Sequence, residues 1–152
     1  MRTLHFEVEI DAPVQKVYDS MLGLSSKDTY EQWTSKFNPT STYRGSWNKG
    51  GKIHFLGTDE KGDVGGMVSE IVENLPTKFV SIKHCGILVG DQEITTGPEV
   101  EKWAGGLENY TFRRNGERTI VLVDLQTPEE FSDHMNRTYP QALHVLKEIC
   151  ER

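Results

Sequence analysis

The sequence predicts an α+β fold in which one curved, seven-stranded antiparallel sheet wraps around a long C-terminal helix, with two short helices after the first strand. Three observations point to it. Residues 5–22, HFEVEIDAPVQKVYDSML, change from a two-residue to a helical period at Asp11-Ala12-Pro13. A series of alternating segments divided by compact turns follows, and the chain closes on a single long amphipathic segment.

In the first strand Leu4, Phe6, Val8 and Ile10 share one side, while Thr3, His5, Glu7 and Glu9 share the other. Val14, Val17, Tyr18, Met21 and Leu22 then line one helix face, and Pro13 suits the helix start because its missing N–H would have no partner there. With almost no loop between them, strand and helix must close on the same interior. Residues 26–33, SKDTYEQW, read as a second short helix with Ser26 as its cap. Six more strands are expected at about 41–47, 52–58, 64–73, 78–88, 107–114 and 118–125. The turns KGG (49–51), DEKGD (59–63), NLPT (74–77) and RNGE (114–117) are short enough to make them a hairpin meander. The connection 89–106, VGDQEITTGPEVEKWAGG, is long for a compact domain and holds Trp103. It reads either as a lid over a pocket or as a surface insertion pinned by its tryptophan. In TPEE (127–130) Thr127 is placed to cap the last helix, Pro128 suits its first turn and Glu130 completes a capping box. That helix carries Phe131, Met135, Tyr139, Ala142, Leu143, Leu146 and Ile149 on one side, and Pro140 is expected to kink or restart it.

A chain of 152 residues fits one domain spanning residues 1–152. A formal net charge of -6 makes nucleic acid an unfavourable partner. No apolar run reaches the length of a membrane span and the N-terminus lacks a signal-like apolar region, so no membrane partner is expected and the address is expected to be cytoplasmic. Cys85 and Cys150 are too few and too scattered for a disulfide scaffold and read as small apolar residues. The histidines at 5, 54, 84, 134 and 144 lack metal-ligand spacing, and GxSxG, P-loop, GxGxxG and HExxH motifs are missing. No metal and no cofactor are therefore expected, and the reading leans away from an enzyme.

The opening EIDAPVQKVYDSM, EQW (31–33), GGKIHF (50–55) and GMVSEIVENLPTKFVSI (66–82) form an ordered set with LENYTF (107–112), RTIVLV (118–123) and YPQALHVLKEICE (139–151). Together they resemble the helix-grip domains of the START/Bet v 1-like (SRPBCC) superfamily, and within it the group similar to the C-terminal domain of the Hsp90 ATPase activator. The resemblance covers nearly the whole chain. It implies a helix-grip fold with space between helix and sheet, and, as a second expectation, a chaperone partner and a part in stress response. The activator's chaperone contact also involves a separate N-terminal domain, whereas this sequence opens directly on the grip domain. Some helix-grip proteins are cyclases or hydrolases, which makes such an enzyme the third expectation.

If Lys83 faces water, Val80, Ile82 and His84 face the concavity, and Glu108, Tyr110 and Phe112 share one side of the following strand. His84, Glu108 and Tyr110 are then neighbours, provided no bulge inverts the alternation. Such a group either orients a ligand's polar end or works as an acid/base pair; the alternative is that Glu108 meets a basic side chain at the rim and Tyr110 only packs. Trp33, Phe37, Trp47, Phe55, Trp103, Tyr18 and Tyr139 supply either pocket walls or core. A dry void of roughly 300 Å³ would cost on the order of 7 kcal/mol, so an unfilled interior must hold water or an apolar guest. The expected function is a small-molecule binding protein for a hydrophobic or aromatic ligand, lipid-like or polyketide/flavonoid-like. Its candidate walls are Trp33, Phe55, Ile82, Trp103, Tyr110, Met135, Tyr139, Leu143 and Leu146, with His84 and Glu108 as polar anchors.

Overall fold

In the computed structural model, which describes residues 1–152, the chain runs β1 (Arg2–Ile10), α1 (Val14–Leu22), α2 (Lys27–Thr34), β2 (Thr42–Gly45), β3 (Lys52–Thr58) and β4 (Val64–Leu75). It continues through β5 (Phe79–Val89), β6 (Gln92–Ile94), α3 (Pro98–Glu101), β7 (Leu107–Asn115), β8 (Arg118–Thr127) and α4 (Glu129–Cys150). All pairings are antiparallel, in the order β1-β8-β7-β5-β4-β3-β2. The first and last strands are therefore neighbours, in register from Arg2↔Thr127 to Ile10↔Thr119. This is the helix-grip arrangement, with α4 following directly from β8 and packing against β1, α1 and α2.

The expected connection 89–106 contains an eighth strand. β6 pairs Ile94 with Ile87 and Gln92 with Val89, on the edge of β5 that β7 takes further along at Lys83↔Leu107. The residues between leave the sheet through α3 and return where Gly105 N–H donates to the His84 carbonyl, 2.8 Å away. The excursion is thus tied to β5 at both ends. Strand β2 is shorter than expected and leaves Trp47 outside it, buried at 6 % exposure.

Helix α1 buries Val14, Val17, Tyr18, Met21 and Leu22, the residues its period selects. It stops at Gly23, whose φ of 69° is left-handed and whose N–H donates to the Asp19 carbonyl. Ser26 caps α2 by accepting from the Asp28 N–H at 3.3 Å. The expected cap of α4 is different. Thr127 is buried and held by the ladder opposite Arg2, so the helix starts two residues later, with Pro128 before it and no side-chain cap. Glu129 and Glu130 in its first turn complement the helix dipole instead. Nor does Pro140 restart the helix, which runs unbroken from Glu129 to Cys150. Proline leaves the Asn136 carbonyl without its usual donor, and Asn136 is exposed, so water can supply one.

The core between α1, α2, α4 and the inner sheet face includes Ile10, Val17, Met21, Trp33, Ile53, Ile82, Val123 and Leu146. Cys85 and Cys150 are free thiols, and burial pushes both above the usual thiol range, which favours the protonated form. No helix is long and apolar enough to cross a membrane.

Candidate functional site

A cavity of about 870 Å³ lies between the first half of α4 and the inner face of the sheet. Its polar floor is set by register. Ser69 of β4 is paired with His84 of β5, and Ile82 with Glu108 of β7, so His84 stands diagonally across from Glu108. His84 Nδ1 is 2.8 Å from Ser69 Oγ, and its Nε2 is 2.9 Å from Glu108 Oε1. The Tyr139 hydroxyl of α4 donates to Glu108 Oε2. A carboxylate only accepts, which places a proton on His84 Nε2; in the neutral ring, Nδ1 then accepts from the Ser69 hydroxyl.

The bulge that could have inverted this facing exists, one residue too late to do so. Val68 pairs with Gly86 and Ser69 with His84, leaving Cys85 without a partner. Val80, Ile82 and His84 therefore keep their common inward side. Beyond Cys85 the sides exchange, and Ile87 joins the cavity lining.

Above the floor stand aromatic rings. Trp33 from α2 lies 6.3 Å from the Tyr110 ring and 6.4 Å from that of Tyr139, and its indole N–H donates to the Met21 carbonyl at 2.8 Å. Phe37 meets Tyr139 edge-on at 5.0 Å, and Phe55 meets His84 edge-on at 6.2 Å. Burial first, and then the Glu108 charge, push the hydroxyls of Tyr30, Tyr110 and Tyr139 above the ordinary tyrosine range. All three are neutral donors at ordinary pH.

Eight of the eleven expected site residues line this cavity: Trp33, Phe55, His84, Trp103, Glu108, Tyr110, Met135 and Tyr139. Ile82 and Leu146 do not; both are fully buried in the core. Leu143 lies instead beside a second hollow of about 350 Å³ lined also by Phe6, Val8 and Pro140. The reason is lengthwise position. The cavity follows Phe131, Met135 and Tyr139, whereas α1 closes on the end of α4, where the Lys16 ammonium donates to the Arg152 carbonyl at 3.2 Å. Glu108 pairs with a histidine and a tyrosine, not with a basic side chain at the rim.

Sequence reasoning missed Tyr30, Met67, Ile87 and Phe131 as lining residues. Tyr30 precedes Trp33 by three positions, a helical spacing that could have revealed it; Ile87 was hidden by the bulge. The rim is marked by Val64, Val89 and Phe131, three exposed large apolar side chains, together with Asp59 and Asp63. A dry void of this size would cost about 20 kcal/mol, more than a domain's stability, so the space must hold water or a guest.

The order Ser69, His84, Glu108 looks like a nucleophilic triad. Ser69 is only 1 % exposed and takes no part in the lining, so no electrophile can approach its oxygen. Its hydroxyl orients the imidazole. No group of three or more His, Cys, Asp or Glu side chains is arranged to hold a metal ion.

Fold and site together define the class: a helix-grip protein with an open, aromatic-walled cavity. Solved structures share the architecture. An Aha1 dimer from Colwellia psychrerythraea matches with a TM-score of 0.71 at 21% identity, over 99% of this chain and 97% of that one. Protein NE0264 from Nitrosomonas europaea matches with a TM-score of 0.71 at 16% identity, over 97% and 93%. CalU16 from Micromonospora echinospora matches with a TM-score of 0.67 at 15% identity, over 97% and 73%. No protein-family model and no curated protein matches the sequence. The likeness at these identities is one of fold.

Proposed function

We propose that this protein is a small-molecule binding domain that holds a hydrophobic or aromatic ligand between α4 and the sheet. The observation that carries this reading is the cavity itself. It is about 870 Å³ in volume, walled by Trp33, Phe37, Phe55, Tyr110 and Tyr139, with one buried polar anchor at His84 and Glu108. That combination, an apolar wall with few convergent polar groups, is the ordinary constitution of a ligand site. Burying about 300 Å² of apolar guest would gain about 7 kcal/mol before association costs, which favours micromolar affinity. Titration with a panel of lipids and planar polyphenols, followed by amide shifts, should move the signals of Trp33, Phe55, Glu108 and Met135 together. Shifts confined to the outer sheet face would refute it.

The fold likeness to an Aha1 structure favours a second reading, a module that contacts a chaperone, consistent with the resemblance to the Hsp90 ATPase activator group. It predicts that the protein stimulates a chaperone's ATPase rate. The two readings separate cleanly, because only the first needs the cavity to be accessible.

A further inference from the structure

The charges around the cavity restrict which ligand can enter it. Three carboxylates border it, Asp59 and Asp63 at the rim and Glu108 on the floor, and no lysine or arginine contributes to its lining. Histidine 84 is the sole basic group there, and it is already engaged at both ring nitrogens by Ser69 and Glu108. Glu108 is 15% exposed at its side chain and accepts one hydrogen bond on each oxygen. A carboxylate has about four acceptor positions, so it can still accept from a guest. The rings of Trp33, Tyr110 and Tyr139 belong to the same cavity lining.

From this arrangement we infer that the cavity selects an aromatic or aliphatic amine, carried as an organic cation, against anionic amphiphiles such as fatty acids and phosphate-bearing lipids. The inference rests on the binding reading above and narrows it to a ligand class. An ammonium group loses its water on entry and regains hydrogen bonds by donating to Glu108, in a lining of aromatic rings, which tolerate a cation better than an anion. An anionic head would face Glu108 with no lysine or arginine in the lining to compensate and with His84 already engaged, and Asp59 and Asp63 at the rim would add to the repulsion. Lys27 over the Tyr43 ring, 4.8 Å from its centroid, shows the same pairing of ammonium and aromatic face at another place in the molecule.

Three probes of one shape test this: 2-(1-naphthyl)ethylamine, 2-(1-naphthyl)ethanol and 1-naphthaleneacetate, each titrated into the whole protein at neutral pH and followed by calorimetry. The amine should bind on the order of tenfold tighter than the alcohol, and the carboxylate weakest. Glu108→Gln should remove most of the amine's advantage over the alcohol, read as the ratio of the two affinities in the same variant. The wild-type ranking needs no variant, so the test survives if Glu108→Gln folds poorly. Equal or tighter binding of the carboxylate overturns the inference and leaves the binding reading intact. An amine preference that persists in Glu108→Gln also overturns the assignment to that residue. Failure of all three probes to saturate overturns the binding reading and this inference together.

Discussion

Each oxygen of Glu108 has its own donor, one from a neighbouring strand and one from the terminal helix, so this one carboxylate couples β5, β7 and α4. The tyrosines around it register that environment. Burial, followed by the negative charge of Glu108, holds Tyr110 and Tyr139 well above the ordinary value of 10. The folded chain therefore keeps protons that the unfolded chain releases above about pH 10. Their contribution to stability is complete below that pH and falls as pH rises beyond it toward the folded values. In an alkaline titration, tyrosinate absorbance from these residues should appear together with loss of near-ultraviolet circular dichroism. Smooth ionisation of all five tyrosines near pH 10 in a protein that stays folded would contradict this assignment.

At the scale of elements, the β3–β4 hairpin bounds the cavity through backbone that approaches backbone. A Cβ on Gly66, at φ 155°, would meet the Phe55 carbonyl oxygen at 1.8 Å, which no side-chain movement can relieve. Gly62, in the turn of the same hairpin at φ 81°, has nothing within 4 Å of its would-be Cβ. Gly66→Ala should therefore cost more than about 3 kcal/mol in urea unfolding, and Gly62→Ala only about 1 kcal/mol for its left-handed backbone. Similar losses at both positions would mean that the close strand approach is not what requires glycine.

Over the whole molecule, the two tryptophans that line the cavity stand on different foundations. Trp33 is 1 % exposed and belongs to the core cluster; Trp103 comes from the excursion between β6 and β7 and lies outside that cluster. Trp33→Ala should lose about 3–5 kcal/mol of stability. Trp103→Ala should lose less than about 1.5 kcal/mol and yet weaken binding of a cavity ligand severalfold, as read by paired denaturation and titration. A Trp103→Ala variant as unstable as Trp33→Ala would show that the excursion is part of the core.

What the amino-acid order determined by itself was local: the period change at Pro13, the alternation in β5 and β7, and the amphipathic run of α4 are properties of neighbouring residues. These were enough to put His84, Glu108 and Tyr110 on the inward sides of their strands, because strand alternation needs no knowledge of distant contacts. The tertiary structure decided the rest. Whether Thr127 capped a helix depended on β1 pairing with it, whether Ile87 faced inward depended on an unpaired Cys85 opposite β4, and whether Leu143 met the cavity depended on where α1 closed over α4. Each of these is set by segments far apart in the chain, and burial, register and free volume arise only when such segments pack.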